Sequence, residues 1–155
     1  MGDTLQIQRT LLNAVLTAVL FIAPASALAE TDFHKEAAHA AELRNQGNLK
    51  EAALGYEHVL SSVRKQFGAG HADTVATIAK LVEVYATQGR FGDVETLYKT
   101  YAKDAEASLG KDHTSTLAYK DALGILLQVT GRDEEAGELH KQVLEARERT
   151  LGKDH

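Results

Sequence analysis

Cysteine and tryptophan are absent from this chain of 155 residues, and its one proline is Pro24. Without cysteine there is no disulfide, no thiolate nucleophile, no cysteine-rich zinc site and no lipid attached through sulfur. Redox chemistry therefore says nothing about compartment. Beyond Pro24 nothing removes a backbone donor or clashes with the turn before it, so long helices are permitted throughout. Basic runs are missing as well: 17 Lys and Arg stand against 22 Asp and Glu, a formal charge of −5. A phosphate-binding surface needs clustered cations to displace counterions, so nucleic acid is not expected as a partner. Neither a glycine-rich phosphate loop nor a nucleophile elbow is present, which leaves no starting point for catalysis and calls for no cofactor.

What is present begins with an uncharged, largely apolar stretch, Leu11 to Pro24, preceded by Arg9 and followed by Ala25-Ser26-Ala27-Leu28-Ala29. A helix crossing a bilayer takes about 20 apolar residues, more than this stretch offers. Charge, apolar segment and small residues come in the order of a secretory signal peptide, with Ala27 and Ala29 fitting an A-x-A cleavage site before Glu30. Residues 1–29 are read as that signal, and a periplasmic or secreted protein without a membrane span is expected after cleavage. A buried N-terminal helix and an uncleaved anchor are the other readings of the same residues. Removing Asp3 and Arg9 with the leader leaves the charge at −5.

From residue 30 to 155 the chain reads as one domain, and it repeats. Phe67-Gly68-Ala69-Gly70-His71, Leu109-Gly110-Lys111-Asp112-His113 and Leu151-Gly152-Lys153-Asp154-His155 are spaced 42 residues apart. Half a repeat away, Gly47, Gly89 and Gly131 keep the same spacing, each followed by Ala52, Val94 or Ala136 and then by Tyr56, Tyr98 or His140. Two series with one period in this range signal a solenoid, with repeats at about 32–68, 74–110 and 116–152.

Between the landmarks the apolar period is helical. Leu49, Ala52, Ala53, Tyr56, Val59, Leu60, Val63 and Phe67 step by three or four, and the second and third copies behave alike. First helices are expected near 32–46, 74–88 and 116–130, with Thr31, Asp73 and Ser115 as N-caps and Gly47, Gly89 and Gly131 as left-handed C-terminal stops. Gly68, Gly110 and Gly152 would stop the second helices. Three helix–turn–helix hairpins result, and each needs a neighbour to bury its apolar stripe.

Gly89-Arg90-Phe91-Gly92-Asp93-Val94 with Leu97-Tyr98, Gly131-Arg132-Asp133-Glu134-Glu135-Ala136 with Leu139, and the repeated Leu-Gly-Lys-Asp-His resemble tetratricopeptide repeats of the 42-residue, kinesin-light-chain-like kind. The resemblance spans roughly residues 32 to 155. HEAT and armadillo repeats have similar lengths but not this placement of a small residue and an aromatic after the hairpin glycine. What the resemblance implies is an all-α, right-handed superhelical solenoid of three antiparallel helix–turn–helix repeats. Its concave face, lined mainly by the first helices, would bind a protein or peptide. Carried over by position, that face comprises Arg44 and Asn45 from the first repeat, Lys80, Glu83 and Thr87 from the second, and Asp121, Ile125 and Gln128 from the third. The adjacent asparagine pair usual in kinesin-light-chain-like repeats is replaced here by Ala37-Ala38, Ala79-Lys80 and Asp121-Ala122.

Other clusters read as structure. His71, His113 and His155 recur on one edge, too far apart across packed helices to share a metal, so a role in the inter-repeat turns is expected and no metal site. Tyr56, Tyr98 and Tyr101 share register with alanine and leucine and read as core. The carboxylates of Glu134, Glu135, Glu145 and Glu148 alternate with Lys141, Arg147 and Arg149 as a solvated face. Around Leu127, Val143 and Leu144 the last hairpin is expected to show an apolar flank, and the alternative role is a structural or assembly module that forms a homo-oligomer, or is a fragment of a longer repeat protein, stacking through its C-terminal end.

Overall fold

The computed structural model describes residues 32–151, and all its elements are helices. They are α1 (Asp32–Asn45), α2 (Leu49–Phe67), α3 (Ala72–Thr87), α4 (Phe91–Leu109), α5 (Thr114–Val129) and α6 (Asp133–Leu151). Successive helices pack on one another, giving three hairpins in line and a tetratricopeptide-like helical-repeat architecture. The proposed signal and its cleavage site, the Thr31 cap, Gly152 and His155 lie outside the described residues. Among the described residues no helix is long and apolar enough to cross a membrane.

Within each hairpin the turn is set by glycine. Gly47, Gly89 and Gly131 have φ of 82°, 72° and 80°, a region costly to residues with a Cβ. Each closes its helix with the same pair of bonds: Gly47 N–H to the Arg44 carbonyl at 3.0 Å and Asn48 N–H to the Leu43 carbonyl at 2.9 Å in the first, with direct counterparts at Gly89-Arg90 and Gly131-Arg132. This is the Schellman closure, in which carbonyls orphaned at a helix end find donors.

Between hairpins the structure corrects the expected caps. α3 and α5 start at Ala72 and Thr114, two residues before the expected 74 and 116, so Asp73 and Ser115 lie inside the first turn and the capping side chains are histidines. His71 Nδ1 accepts from the Asp73 N–H at 3.3 Å, and His113 Nδ1 accepts from the Ser115 N–H at 3.1 Å. An accepting Nδ1 is unprotonated, so the ring proton resides on Nε2. Histidine is not among the residues preferred as caps, which is why Asp73 and Ser115 were the natural choices from sequence. A threonine completes each clasp: Thr74 and Thr116 hydroxyls donate to the Gly68 and Gly110 carbonyls at 2.7 and 2.9 Å. His71 and His113 thus have the turn role expected of them. In the first turn the His71 ring also stacks on Phe67 with centroids 4.4 Å apart.

One apolar core runs from Ala40 in α1 to Ala136 in α6. Its largest members include Tyr56, Tyr98, Tyr119, Ile78, Leu81 and Leu126, so Tyr56 and Tyr98 are core as the register predicted; Tyr101 is also buried. Each such side chain contributes about 1.5–3 kcal/mol on burial. The α1–α2 contact is built differently, from small residues: a Cβ placed on Gly55 would lie 2.9 Å from the Ala40 Cβ.

Candidate functional site

The first helices α1, α3 and α5 present the eight residues expected to meet a partner, and four of those carry charge. Three of the four are already engaged. Arg44 donates to Glu83 at 2.7 Å, joining α1 to α3 with both side chains 24% exposed. Asp121 accepts from Arg147 at 3.3 Å and pairs with His140 Nδ1 at 3.0 Å, both on α6. That leaves Lys80, which is exposed and has no hydrogen-bonding or ionic partner among the described residues.

The uncharged members differ in the same way. The Thr87 hydroxyl is turned back onto its own helix, donating to the Glu83 carbonyl at 2.8 Å. The Asn45 side-chain oxygen accepts from Arg44 at 3.2 Å. Ile125 is half-buried and Gln128 exposed. Sequence position places these residues on the first helices but does not show which charges the fold neutralises internally.

Lys80 sits at the edge of an open pocket of about 190 Å³ between α1 and α3, floored by α2. Phe33, Ala37, Tyr56, Val59, Val63 and Ala76 give it apolar walls, and Asp73 marks the end away from Lys80. Seven residues of helix separate Asp73 from Lys80 along α3, roughly 10 Å at 1.5 Å per residue. One carboxylate oxygen of Asp73, Oδ2, is buried without a hydrogen-bond partner, as is the Tyr56 hydroxyl; His71 Nδ1 stands 3.5 Å from that oxygen and His34 Nε2 3.8 Å from Oδ1. Burial raises the Tyr56 pKa above the usual phenol value, with Arg44 opposing and Glu83 reinforcing the shift. None of the pocket's lining residues except Lys80 was singled out from sequence as a binding residue, because apolar residues in helical register read only as core.

At the other end of the array the expected apolar flank is largely closed. Leu127 and Val143 are each 2% exposed, and only Leu144, at 58%, is open to solvent. Beside it stand His140 and Arg147, where the preceding repeat has Tyr98 and Ala105. A Cβ on Gly124 would meet the His140 ring at 2.8 Å, so this imidazole lies directly against α5.

Residues 116–155 match the tetratricopeptide repeat family. The match covers the third hairpin, and the first two carry its glycines and core positions one and two periods earlier. No curated protein matches the chain. Tetratricopeptide repeats are protein-interaction scaffolds, typically without catalysis of their own, and the open groove between first helices suits that role.

Proposed function

We propose that this protein is an exported scaffold or adaptor, periplasmic or secreted, that binds a protein or peptide on the face formed by α1, α3 and α5. The observation that carries this reading is Lys80: of the four charged residues on that face it alone lacks an internal counter-charge, and it borders an open apolar pocket. An unpaired cation beside exposed apolar surface is the arrangement of an anchor site with a charged rim. The segment Leu11 to Pro24 with Ala27 and Ala29 supports export.

Capture from envelope extracts followed by affinity measurement on the captured partner tests the face. Lys80→Glu should weaken binding at least tenfold while leaving the fold intact, since Lys80 is exposed. Unchanged affinity would remove this face from consideration. Intact mass of the exported protein tests the leader, and a first residue far from Glu30 would refute cleavage there.

A further inference from the structure

The pocket between α1 and α3 has a counterpart one repeat later, and comparing the two shows what the first one lacks. Moving along by 42 residues replaces Val59 with Tyr101, Thr77 with Tyr119 and Lys80 with Ala122. Both counterpart tyrosines are buried, 4% and 2% exposed, with ring centroids 5.9 Å apart. The Tyr119 hydroxyl donates to the Ala69 carbonyl at 2.7 Å. At that position the protein supplies its own aromatic rings. The same two positions of the first pocket hold a valine and a threonine, whose hydroxyl is used internally, donating to the Asp73 carbonyl at 2.7 Å.

The space left, about 190 Å³, is enough for a ring: a dry apolar cavity of about 150 Å³ holds benzene. Direction follows from helix geometry. Side chains on a helix lean toward its N-terminus, so a ring placed as Tyr119 is placed would carry its tip toward the residue four positions earlier. For Thr77 that residue is Asp73, whose buried Oδ2 has no hydrogen-bond partner. An apolar ring ending in a donor is the chemistry that satisfies both the walls and the carboxylate.

We infer that this pocket receives a tyrosine side chain of the partner, seated between α1 and α3 as Tyr119 is seated one repeat later, with its hydroxyl donating to Asp73. The inference rests on the reading of the α1, α3 and α5 face as the binding face. The Lys80 ammonium, absent from the counterpart site, stands at the opposite end of the pocket and leaves the ring position clear.

The test uses 4-methylphenol, the side chain of tyrosine, titrated into the purified protein while methyl resonances are followed by NMR. Saturable shifts are expected at Ala37, Val59, Val63 and Ala76, with Kd of about 1 mM, and binding of toluene, which lacks the hydroxyl, should be several-fold weaker. Thr77→Tyr should fill the pocket from α3 and Ala37→Leu from α1, each weakening the probe more than tenfold with helical circular dichroism retained. Either variant suffices if the other does not fold. Absence of saturable shifts at these methyls, or shifts that persist in both variants, overturns the proposal. Partner affinity separates the two readings: sensitivity to Lys80→Glu but not to Thr77→Tyr keeps the face and rejects the tyrosine pocket. Probe binding with partner affinity indifferent to both substitutions rejects the partner-binding role of pocket and face alike.

Discussion

Tyr98→Phe and Tyr119→Phe delete the same atom from two buried tyrosines, and the structure predicts opposite signs for them. Tyr98 is 0% exposed, and its hydroxyl has no hydrogen-bond partner. Holding a hydroxyl in that state costs about 1–3 kcal/mol relative to water. Phenylalanine keeps the ring and its packing, so after allowing for the small void left by one oxygen the variant should gain about 1 kcal/mol. Tyr119 is buried to a similar degree, but its hydroxyl donates to the Ala69 carbonyl at 2.7 Å. Removing it forfeits that bond and strands a carbonyl in a turn where Ala69 is itself 5% exposed, a loss of about 1–2 kcal/mol. Urea unfolding measures both: the midpoints should move in opposite directions at constant slope, since neither change alters the surface exposed on unfolding. In a thermal scan the two variants should differ by roughly 10 °C for a domain of this size. If Tyr98→Phe is destabilised as much as Tyr119→Phe, the Tyr98 hydroxyl has a partner in solution and the reasoning from its isolation fails.

Two further outcomes follow from the same structure. His71→Ala and His113→Ala should each cost about 1 kcal/mol in urea unfolding, with His→Asn restoring most of it, because only an acceptor at that position is required; an alanine variant as stable as the parent would show that the caps contribute nothing. All five tyrosines, Tyr56, Tyr85, Tyr98, Tyr101 and Tyr119, have pKa values raised first of all by burial. Groups raised above their unfolded value of about 10 give stability that is complete below that pH and declines above it, by about 1.4 kcal/mol per pH unit for each tyrosine that stays neutral in the fold. Phenolate absorbance should therefore appear together with loss of helical signal in one step above pH 10, and phenolate formed while the helices persist would contradict the burial.

The array was legible because its strongest constraints are local and periodic. A left-handed residue at the end of each first helix demands glycine, and the chain answers at Gly47, Gly89 and Gly131. Core tyrosines need helical register and have it. Asp73 and Ser115 look like caps by residue type, whereas the helices already begin at Ala72 and Thr114 and the acceptor role falls to His71 and His113. Thr74 and Thr116, spaced three residues after each histidine, were the available signal. On the face formed by α1, α3 and α5, the sequence places the residues on their helices but not their internal partners, since Arg44 and Glu83 are 39 residues apart and Asp121 and Arg147 are 26 apart. Which charge is left over is a tertiary property, and it singles out Lys80.

Departures from the repeat carry the rest of the argument. Where α3 buries Ile78 and Leu81, the corresponding positions of α1 are Glu36 and His39, both exposed. Where α2 and α4 bury Tyr56 or Tyr98 and Val63 or Ala105, α6 has His140 and Arg147, tied to Asp121. A stacking helix laid on either outer face would have to desolvate these polar groups, which costs more than a lone Leu144 returns. Between α1 and α3 the departure runs the other way: Thr77 stands where Tyr119 would close the core, and Lys80 where Ala122 would be neutral. Polar substitutions line the outer faces of the described hairpins, while Thr77 in place of a ring leaves the groove between the first two open.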